Sequence, residues 1–314
     1  MTTTACPGLV VTIIAYKRAE KLRFLLDSLR QFPASQIHIF CDGARGPADS
    51  ADCQATQEVA REHAKDRTDV HINIRESNLG LNENIIQSIT SVLSRNPFTL
   101  VLEEDVIPEK GFAEFIFHFE PLLRERKEIF SISGYHPCNL QQNESAFLSR
   151  RFFCWGWATW ADRWNTLLPL IRGNCWPYEH YWEIPPDIGT DFAWAHRQHR
   201  MGRRKLTWDR IVALWTLKLE MLHLCPCTRL TTNIGLDGSG ENCTTSDPAR
   251  RLFEHVDTPN STTWALPQSL SSSTAIDAQI CKFFTNSSRS RWDNIRKRLN
   301  YELARLRGLK VYEL

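Results

Sequence analysis

The sequence lacks an apolar run long enough to cross a membrane as a helix. Its N-terminus, MTTTACPGLV, also lacks the charged start and apolar core of a secretory signal peptide. These two absences predict a cytoplasmic protein. The N-x-S/T sequons that begin at Asn143, Asn242, Asn260 and Asn286 are then accidental, because glycosylation requires secretion.

An excess of one charge sign is missing too, since 38 basic and 36 acidic residues leave a formal net charge of +2. A charge this small creates no long-range field for gathering nucleic acid, so nucleic acid is not an expected partner. The ten cysteines show no disulfide framework, and the one tight pair, Cys225 and Cys227, fits no common zinc spacing with Cys243. We therefore expect reduced thiols.

The first 135 residues alternate between two hydrophobic periodicities. The run LVVTIIAY at 9–16 is typical of a strand covered on both faces, and the leucines that follow it recur at helical spacing. Further strands are predicted at 36–43, 71–74, 98–105 and 129–136, and further helices at about 51–66, 85–93 and 112–123. This alternation predicts an α/β fold, with a mostly parallel sheet flanked by helices. Ligands bind such sheets at the carboxyl ends of the strands.

Three consecutive acids, Glu103, Glu104 and Asp105, stand at one of these strand ends. Alternate residues of a strand share a face, so Glu103 and Asp105 are expected on the same side. Their mutual repulsion can be offset by a divalent cation that takes its other ligands from substrate phosphates and water. The alternative is a solvated strand end before a helix whose N-terminus favours acids. The strand ends of an α/β sheet are where a nucleotide diphosphate would lie. This location favours the divalent cation over the solvated strand end.

Six segments carry a resemblance to a known family, and they occur in this order: VVTIIAYKRAEKLRFLLDSL, FCDG, ESNLGLNENIIQSI, VLEEDVIPEKGF, FFCWGWATWADRW and LTTNIGLDGSGENC. The first four resemble the nucleotide-sugar-binding half of glycosyltransferases of the GT-A fold. The last two are similar to a bacterial, family 2-like subgroup related to the N-acetylglucosaminyltransferase I group. The resemblance implies an inverting, metal-dependent transfer of a sugar from a nucleotide diphosphate, by preference UDP, to a hydroxyl of a glycan or glycolipid precursor.

The resemblance also assigns roles to single residues. Asp105 is implied as the ligand of Mn²⁺ or Mg²⁺, and Glu103 as a contact to the donor sugar. Asp42 matches a carboxylate that binds the nucleobase, although an aspartate before glycine is also common in turns. The implied nucleotide pocket contains, in addition, Ala15, Tyr16, Arg18, Asn78, Gly80 and Glu104.

On the acceptor side, the resemblance implies a general base near the start of a helix and after a tryptophan. Asp209 in LTWDRIVALW fits that place, at the start of an apolar helix predicted at 209–222, with Asp191 in reserve. An aspartate before an apolar helix is also a preferred N-cap, so both interpretations stay open. Trp157 and Trp160 are expected either to back the acceptor sugar or to form an aromatic core, while Gly156 permits close backbone approach.

Two departures from the family pattern bear on these expectations. The Q-x-x-R-W motif of processive enzymes is absent, which argues against a polymer synthase. A glycine-rich loop is predicted at 231–243, and in the subgroup this loop often ends in a metal-ligating histidine where this chain has Glu241, Asn242 and Cys243. The metal is therefore expected to be held more weakly, or by Asp105 with phosphates and water.

The predicted organisation is a glycosyltransferase domain at 1–245, with a nucleotide-sugar half at 1–135 and an acceptor half at 136–245. A linker and a basic amphipathic helix follow at 246–314. Basic residues outnumber acidic ones at 289–310, and apolar residues recur there at helical spacing. This helix is expected either to touch the inner face of the membrane, where lipid-linked acceptors lie, or to dock on protein.

Three other functions are compatible with parts of the sequence. A nucleotidyltransferase of similar fold should carry a glycine-rich loop after the first strand, but AYKRAEKL contains no glycine. A non-catalytic glycan-binding protein could present the same aromatic cleft. A phosphatase or hydrolase built on paired carboxylates is the third.

Overall fold

The computed structural model describes residues 8–138, 145–173, 176–238, 264–267, 271–272, 274–286 and 299. The strands are β1 Leu9–Ala15, β2 Ala34–Cys41, β3 Val70–Ile74, β4 Phe98–Glu103, β5 Val106–Pro108, β6 Ile129–Ser133, β7 Ala146–Ser149, β8 Trp157–Trp160, β9 Leu222–Pro226 and β10 Thr231–Asn233. The α-helices are α1 Ala19–Ser28, α2 Pro47–Ala64, α3 Leu81–Leu93, α4 Phe112–Leu123, α5 Ala161–Arg172, α6 Thr190–Arg200, α7 Trp208–Lys218 and α8 Thr274–Asn286.

The central sheet has eight strands in the order β3-β2-β1-β4-β8-β6-β9-β7. The first four are mutually parallel, and β6 pairs with β9 in parallel, whereas β8 and β7 pair with their neighbours in antiparallel fashion. The predicted α/β fold with a mostly parallel, helix-flanked sheet is confirmed, and its layout is Rossmann-like.

Both faces of β1 are buried, as its continuous apolar run predicts. Val11 and Ile13 lie in a core cluster with Leu22 of α1, whereas Ile14 lies in a second cluster with Ile85 of α3. Alternate side chains of a strand point to opposite faces, so the two clusters are the two sides of the sheet. Helices α1, α2 and α4 cover the first side, and α3, α5, α6 and α7 cover the second.

The second half of the chain differs from its prediction in several elements. The helix expected at 209–222 ends at Lys218, because Glu220 has a φ of 55° and β9 begins at Leu222. Part of the expected glycine-rich loop at 231–243 is strand β10, which pairs with β5 directly after the three acids. Strands β7 and β8 were not predicted, since each is only four residues long.

Helix α8 was not predicted either, and it belongs to the body of the molecule. Its Ile276 and Ile280 are buried in a third core cluster with Phe147 and Phe153. The predicted amphipathic helix at 289–310 lies outside the described residues, except Leu299, which is exposed. No described helix is long and apolar enough to cross a membrane.

Candidate active site

Arg18 binds two of the three acids that follow β4. Its Nε donates to Glu104 Oε1 at 2.5 Å, and its Nη1 lies 2.7 Å from Asp105 Oδ2. The contact arises because β1 and β4 are parallel neighbours, with Ile14 paired to Glu103, so that both strands end at the same edge. One guanidinium therefore spans two adjacent carboxylates at the carboxyl edge of the sheet.

Glu104 ties the ends of these two strands together. Besides the Arg18 contact, its Oε2 accepts a hydrogen bond from the backbone N–H of Tyr16 at 2.7 Å. Burial raises the pKa of Glu104, while the Arg18 charge opposes that rise. Both carboxylate oxygens are engaged within the protein, so a contact between Glu104 and a nucleotide remains a prediction.

Glu103 lies among other carboxylates. Burial and the nearby charges of Asp105 and Asp209 raise the pKa of Glu103 to about 8. The interaction with Asp209 brings the predicted base on α7 to the acidic end of β4. Three carboxylates from two halves of the chain therefore share one edge of the sheet.

Asp209 does not cap α7. The N-cap is Thr207, and Asp209 lies in the first turn, where it is half-buried. The start of the helix is held by Asn82, whose Oδ1 accepts from Trp208 N at 2.7 Å and whose Nδ2 donates to Leu206 O at 2.9 Å. The alternative interpretation of Asp209 as an N-cap is wrong, and its role as a base remains a prediction.

Asp42 anchors the loop that precedes α3. Its Oδ1 accepts from the N–H groups of Gly43 and Leu79 at 2.9 Å each, and its Oδ2 accepts from Gly80 N and Asn78 Nδ2 at 3.1 Å each. Four donors match the acceptor capacity of a carboxylate. Asp42 is thus more than a local turn residue, and its contact to a nucleobase remains a prediction.

Glycines allow the loop after β2 to pack closely against the loop that precedes α3. A Cβ on Gly43 would lie 2.4 Å from the carbonyl carbon of Ser77, so only glycine permits this backbone approach. Gly80 begins α3 with a φ of 78°, in the left-handed region that favours glycine. Ala15, at the end of β1, is buried, and its carbonyl accepts from Asp42 N at 3.0 Å. Hydrogen bonds to Asp42 therefore connect Ala15, Asn78 and Gly80 at one edge of the sheet.

Tyr16 belongs to a polar cluster that sequence reasoning missed. Its hydroxyl donates to Asp49 Oδ2 at 2.6 Å, and burial together with this bond raises the pKa of Tyr16 to about 12. Asp49 also accepts from Lys17 Nζ and Arg45 Nε, each at 2.9 Å. Asp49 lies in the first turn of α2, so an acid after Pro47 was the available signal.

A turn after β10 packs on Asp105, and this too was missed. Ile234 N donates to the backbone carbonyl of Asp105 at 2.8 Å, and Lys21 Nζ donates to Ile234 O at 2.7 Å. A Cβ on Gly235 would lie 1.9 Å from Asp105 Oδ2. Only a residue without a side chain at position 235 leaves room for the Asp105 carboxylate. Glu241, Asn242 and Cys243 lie outside the described residues.

The tryptophans expected on the acceptor side are core residues. Trp157 is 0% exposed, and Trp160 is 2% exposed with its Nε1 donating to Glu120 at 2.9 Å. A ring without exposed surface cannot stack on a sugar, so that interpretation is wrong for both. The half-buried residues of the segment are Cys154 and Trp155.

Cys154 lies beside the acidic cluster. Burial, followed by the charges of Asp209 and Glu103, raises the pKa of the Cys154 thiol well above its usual value. The next residues approach the same edge, since a Cβ on Gly156 would lie 3.4 Å from Val106 Cγ1 and 2.5 Å from Thr231 Cγ2. The segment 154–156 therefore lies beside the acidic edge of the sheet.

Asp191, the reserve base, is engaged elsewhere. Its two oxygens accept from Arg151 Nη1 and Nη2 at 2.9 and 2.6 Å. Arg151 is buried and lies over the rings of Phe192 and Phe284, with its Cζ 3.9 and 3.3 Å from their centroids. A bidentate pair in this setting holds α6 and α8 together, which is a structural role.

The residues at the acidic edge fit a hard cation shared with a ligand. No group of three or more potential metal-ligating side chains occurs in the part of the chain that the structure describes. Asp105 Oδ2 pairs with Arg18, whereas Asp105 Oδ1 accepts no hydrogen bond from a described residue. One such oxygen suits Mn²⁺ or Mg²⁺ only if phosphates and water complete the shell.

Comparison with known proteins finds no matching family model and no matching curated protein. Among solved structures, the chain is similar to a mannosyltransferase from Pyrobaculum calidifontis in complex with GDP-Man and Mn²⁺, with 12% identity, a TM-score of 0.38, and coverage of 69% of this chain and 70% of the other.

A protein from Bacillus anthracis, assigned as a glucose-1-phosphate thymidylyltransferase and solved with sucrose, shows 10% identity, a TM-score of 0.38, and coverage of 80% and 98%. A 4-diphosphocytidyl-2C-methyl-D-erythritol synthase from Anaerococcus prevotii shows 8% identity, a TM-score of 0.31, and coverage of 70% and 88%. At these TM-scores, the likenesses support no inference about the activity of this chain.

Proposed function

We propose that the protein is a GT-A glycosyltransferase that moves a sugar from a nucleotide diphosphate, by preference UDP, to a hydroxyl of a glycan or lipid-linked glycan precursor. The observations that carry this proposal are the acids at the carboxyl edge of the sheet, where Arg18 bridges Glu104 and Asp105, and the hydrogen bond from Trp208 N to Asn82 that fixes the start of the helix carrying Asp209. The carboxyl edge of a parallel sheet is where nucleotides bind.

Each carboxylate has a distinct task in this proposal. Asp209 takes the proton of the acceptor hydroxyl while the oxygen of that hydroxyl attacks the anomeric carbon of the donor sugar. The bond from that carbon to the diphosphate oxygen breaks, and its electron pair leaves with the diphosphate. Attack opposite the leaving group inverts the anomeric configuration. Glu103 hydrogen-bonds to the donor sugar and orients it.

Positive charge is needed where the diphosphate departs. Arg18 supplies one fixed cation beside Asp105. Asp105 would hold Mn²⁺ or Mg²⁺, which supplies Lewis-acid neutralisation of the leaving diphosphate when bound. Tyr16, Asp42, Asn78 and the loop ending at Gly80 would position the nucleotide.

The test is a screen of nucleotide sugars with manganese, in which hydrolysis of the donor and transfer to glycan acceptors are measured. Asp209→Asn should keep donor affinity, measured by calorimetry of UDP with and without manganese. Its transfer rate should fall by about 10²- to 10⁴-fold, as expected for loss of a general base. A screen without any donor turnover, or full transfer by this variant, would contradict the proposal.

The rival functions differ in the substrates they use and the products they release. A nucleotidyltransferase would release pyrophosphate from a nucleoside triphosphate and a sugar phosphate, although the turn from Tyr16 to Arg18 after β1 contains no glycine. A glycan-binding protein would bind sugar without turnover. A phosphatase would release phosphate from simple esters.

A location at the inner face of the membrane is part of the proposal, because lipid-linked acceptors lie there. The basic segment 289–310 would provide the contact. Co-sedimentation with anionic and neutral vesicles tests it. Negligible binding to both by the full chain, matched by a truncation that ends near Ser288, would refute it.

A further inference from the structure

Arg229 is a buried cation that forms no ion pair with any residue the structure describes. It is 5% exposed, and its Nε and Nη1 are shielded from solvent without a hydrogen bond to the described part of the chain. No carboxylate among the described residues pairs with it. Burying an unpaired guanidinium is costly, so a buried arginine is normally found with its partners in place.

The other deeply buried arginines follow that rule. Arg151 forms its bidentate pair with Asp191. Arg163 donates from Nη2 to three backbone carbonyls, at 2.8 to 3.0 Å, and from Nη1 to Asp162 at 3.2 Å. Arg229 therefore differs from arginines of equal burial in the same fold.

His136 lies beside Arg229 and has an unsatisfied nitrogen of its own. Its Nε2 is 3.1 Å from the carbonyl oxygen of Cys227, which can only accept, so Nε2 carries the proton. Burial and the Arg229 charge lower the pKa of His136 to about 3, so the ring is neutral at pH 7. Nδ1 is then an acceptor, and it is buried without a hydrogen bond from any described residue.

These two residues are adjacent to the acceptor side of the candidate site. Leu230 N donates to Gly134 O at 2.7 Å, and Gly134 N donates to Gly156 O at 2.8 Å. Thr231 Oγ1 donates to Trp155 O at 2.7 Å. The backbone next to Arg229 and His136 is thus connected by hydrogen bonds to the segment 154–156, which borders the carboxylates.

We propose that Arg229 and His136 form a binding site for an oxyanion carried by the acceptor, either a carboxylate or a phosphate group. Its use for an acceptor rests on the proposed function. The guanidinium donors meet the oxyanion, and a neighbouring hydroxyl of the same ligand donates to His136 Nδ1. A uronic acid and a sugar phosphate both offer this pairing, whereas a neutral sugar leaves the Arg229 charge unmatched.

The binding test uses inorganic phosphate, glucuronate and glucose at constant ionic strength, with thermal unfolding as the readout. Either oxyanion should raise the melting temperature by about 3 °C at ten times its dissociation constant, whereas glucose should not. The more effective oxyanion identifies the group. Arg229→Met should abolish the shift. Absence of a shift in the wild type, or an equal shift in the variant, would overturn the proposal.

The ligand-free variants supply a second readout. Arg229→Met removes an unpaired buried charge and should raise the melting temperature by about 2 to 4 °C. Arg151→Met is the matched control. It leaves the Asp191 carboxylate without its arginine partner and should lower the melting temperature. A lower melting temperature for Arg229→Met would show that the guanidinium has a partner within the protein, which would overturn the proposal. Neither readout needs a donor or turnover, so a failed donor screen would leave this site standing.

Discussion

The side-chain amide of Asn82 fixes the backbone of Trp208, accepting its N–H at 2.7 Å while donating to Leu206 O at 2.9 Å. Asn82 lies in the first turn of α3, directly after the loop that Asp42 anchors. The position of Asp209 on α7 is therefore coupled to the loop proposed to hold the nucleotide. In the proposed function, Asn82 would position Asp209 without touching a substrate itself.

Replacing Asn82 tests that coupling. Asn82→Ala removes the bond to the first N–H of α7 and should cost about 1 kcal/mol of unfolding free energy. It should also lower kcat by about 10²-fold with little change in the donor KM, because Asp209 is misplaced rather than lost. Asn82→Asp keeps the acceptor for Trp208 N and should recover part of kcat.

The matched control is Asn96→Ala, just beyond the far end of α3, where the amide donates only to Val92 O. It should leave kcat unchanged. An Asn82→Ala variant with lower stability but wild-type kcat would show that the amide holds α7 for folding alone.

Substitutions of Asp105 and of Glu104 are expected to affect different properties of the protein. Asp105→Asn should abolish the part of UDP affinity that depends on manganese, measured by calorimetry with and without the metal. Glu104→Gln should instead weaken the tie to Tyr16 and Arg18 and cost about 1 to 3 kcal/mol of unfolding free energy. Manganese-dependent UDP binding that survives in Asp105→Asn would remove Asp105 from the metal site.

The strand ends that position the site could be predicted because buried parallel strands appear as continuous apolar runs. The run at β1 and the run at β4 end together, so Glu103 and Asp105 were correctly expected at the carboxyl edge of the sheet. This inference needs only local pattern and the rule that parallel strands share an edge.

Long-range pairing could not be predicted in the same way. Nothing in the local sequence indicates that Arg18 spans Glu104 and Asp105, or that the turn at Gly235 packs on Asp105. The aromatic segment was ambiguous for a different reason. A tryptophan in a core and one in a binding wall have the same local pattern, and only burial separates Trp157 from Trp155.

Gly235→Ala should disturb Asp105 directly. The added Cβ would lie 1.9 Å from Asp105 Oδ2 and 2.9 Å from Arg18 Nη1, so the carboxylate must move. We expect weaker manganese-dependent UDP binding with a largely preserved melting temperature. Gly46→Ala is the control, because its Cβ meets nothing within 4 Å and its φ is extended. Equal UDP affinity in both variants would show that the turn at residue 235 can shift to accommodate the added methyl group without disturbing Asp105.

Acid should destabilise the protein through His223. This residue is fully buried, its Nδ1 lies 2.8 Å from Ser131 Oγ, and burial lowers its pKa from 6.5 to about 3. Between these two values the unfolded chain binds a proton that the folded chain excludes, so unfolding free energy falls as pH falls. Above 6.5 neither state binds it, and His223 has no effect.

The expected loss is about 1.4 kcal/mol per pH unit across that window, or up to about 3 kcal/mol at pH 4.5. His223→Asn can keep a hydrogen bond to Ser131 but cannot titrate. In urea unfolding from pH 7.5 to 4.5, the unfolding free energy of the wild type should therefore fall by up to about 3 kcal/mol more than that of the variant, since only the wild type loses this contribution. An equal fall in both proteins would show that His223 accepts a proton inside the fold, against the burial observed here.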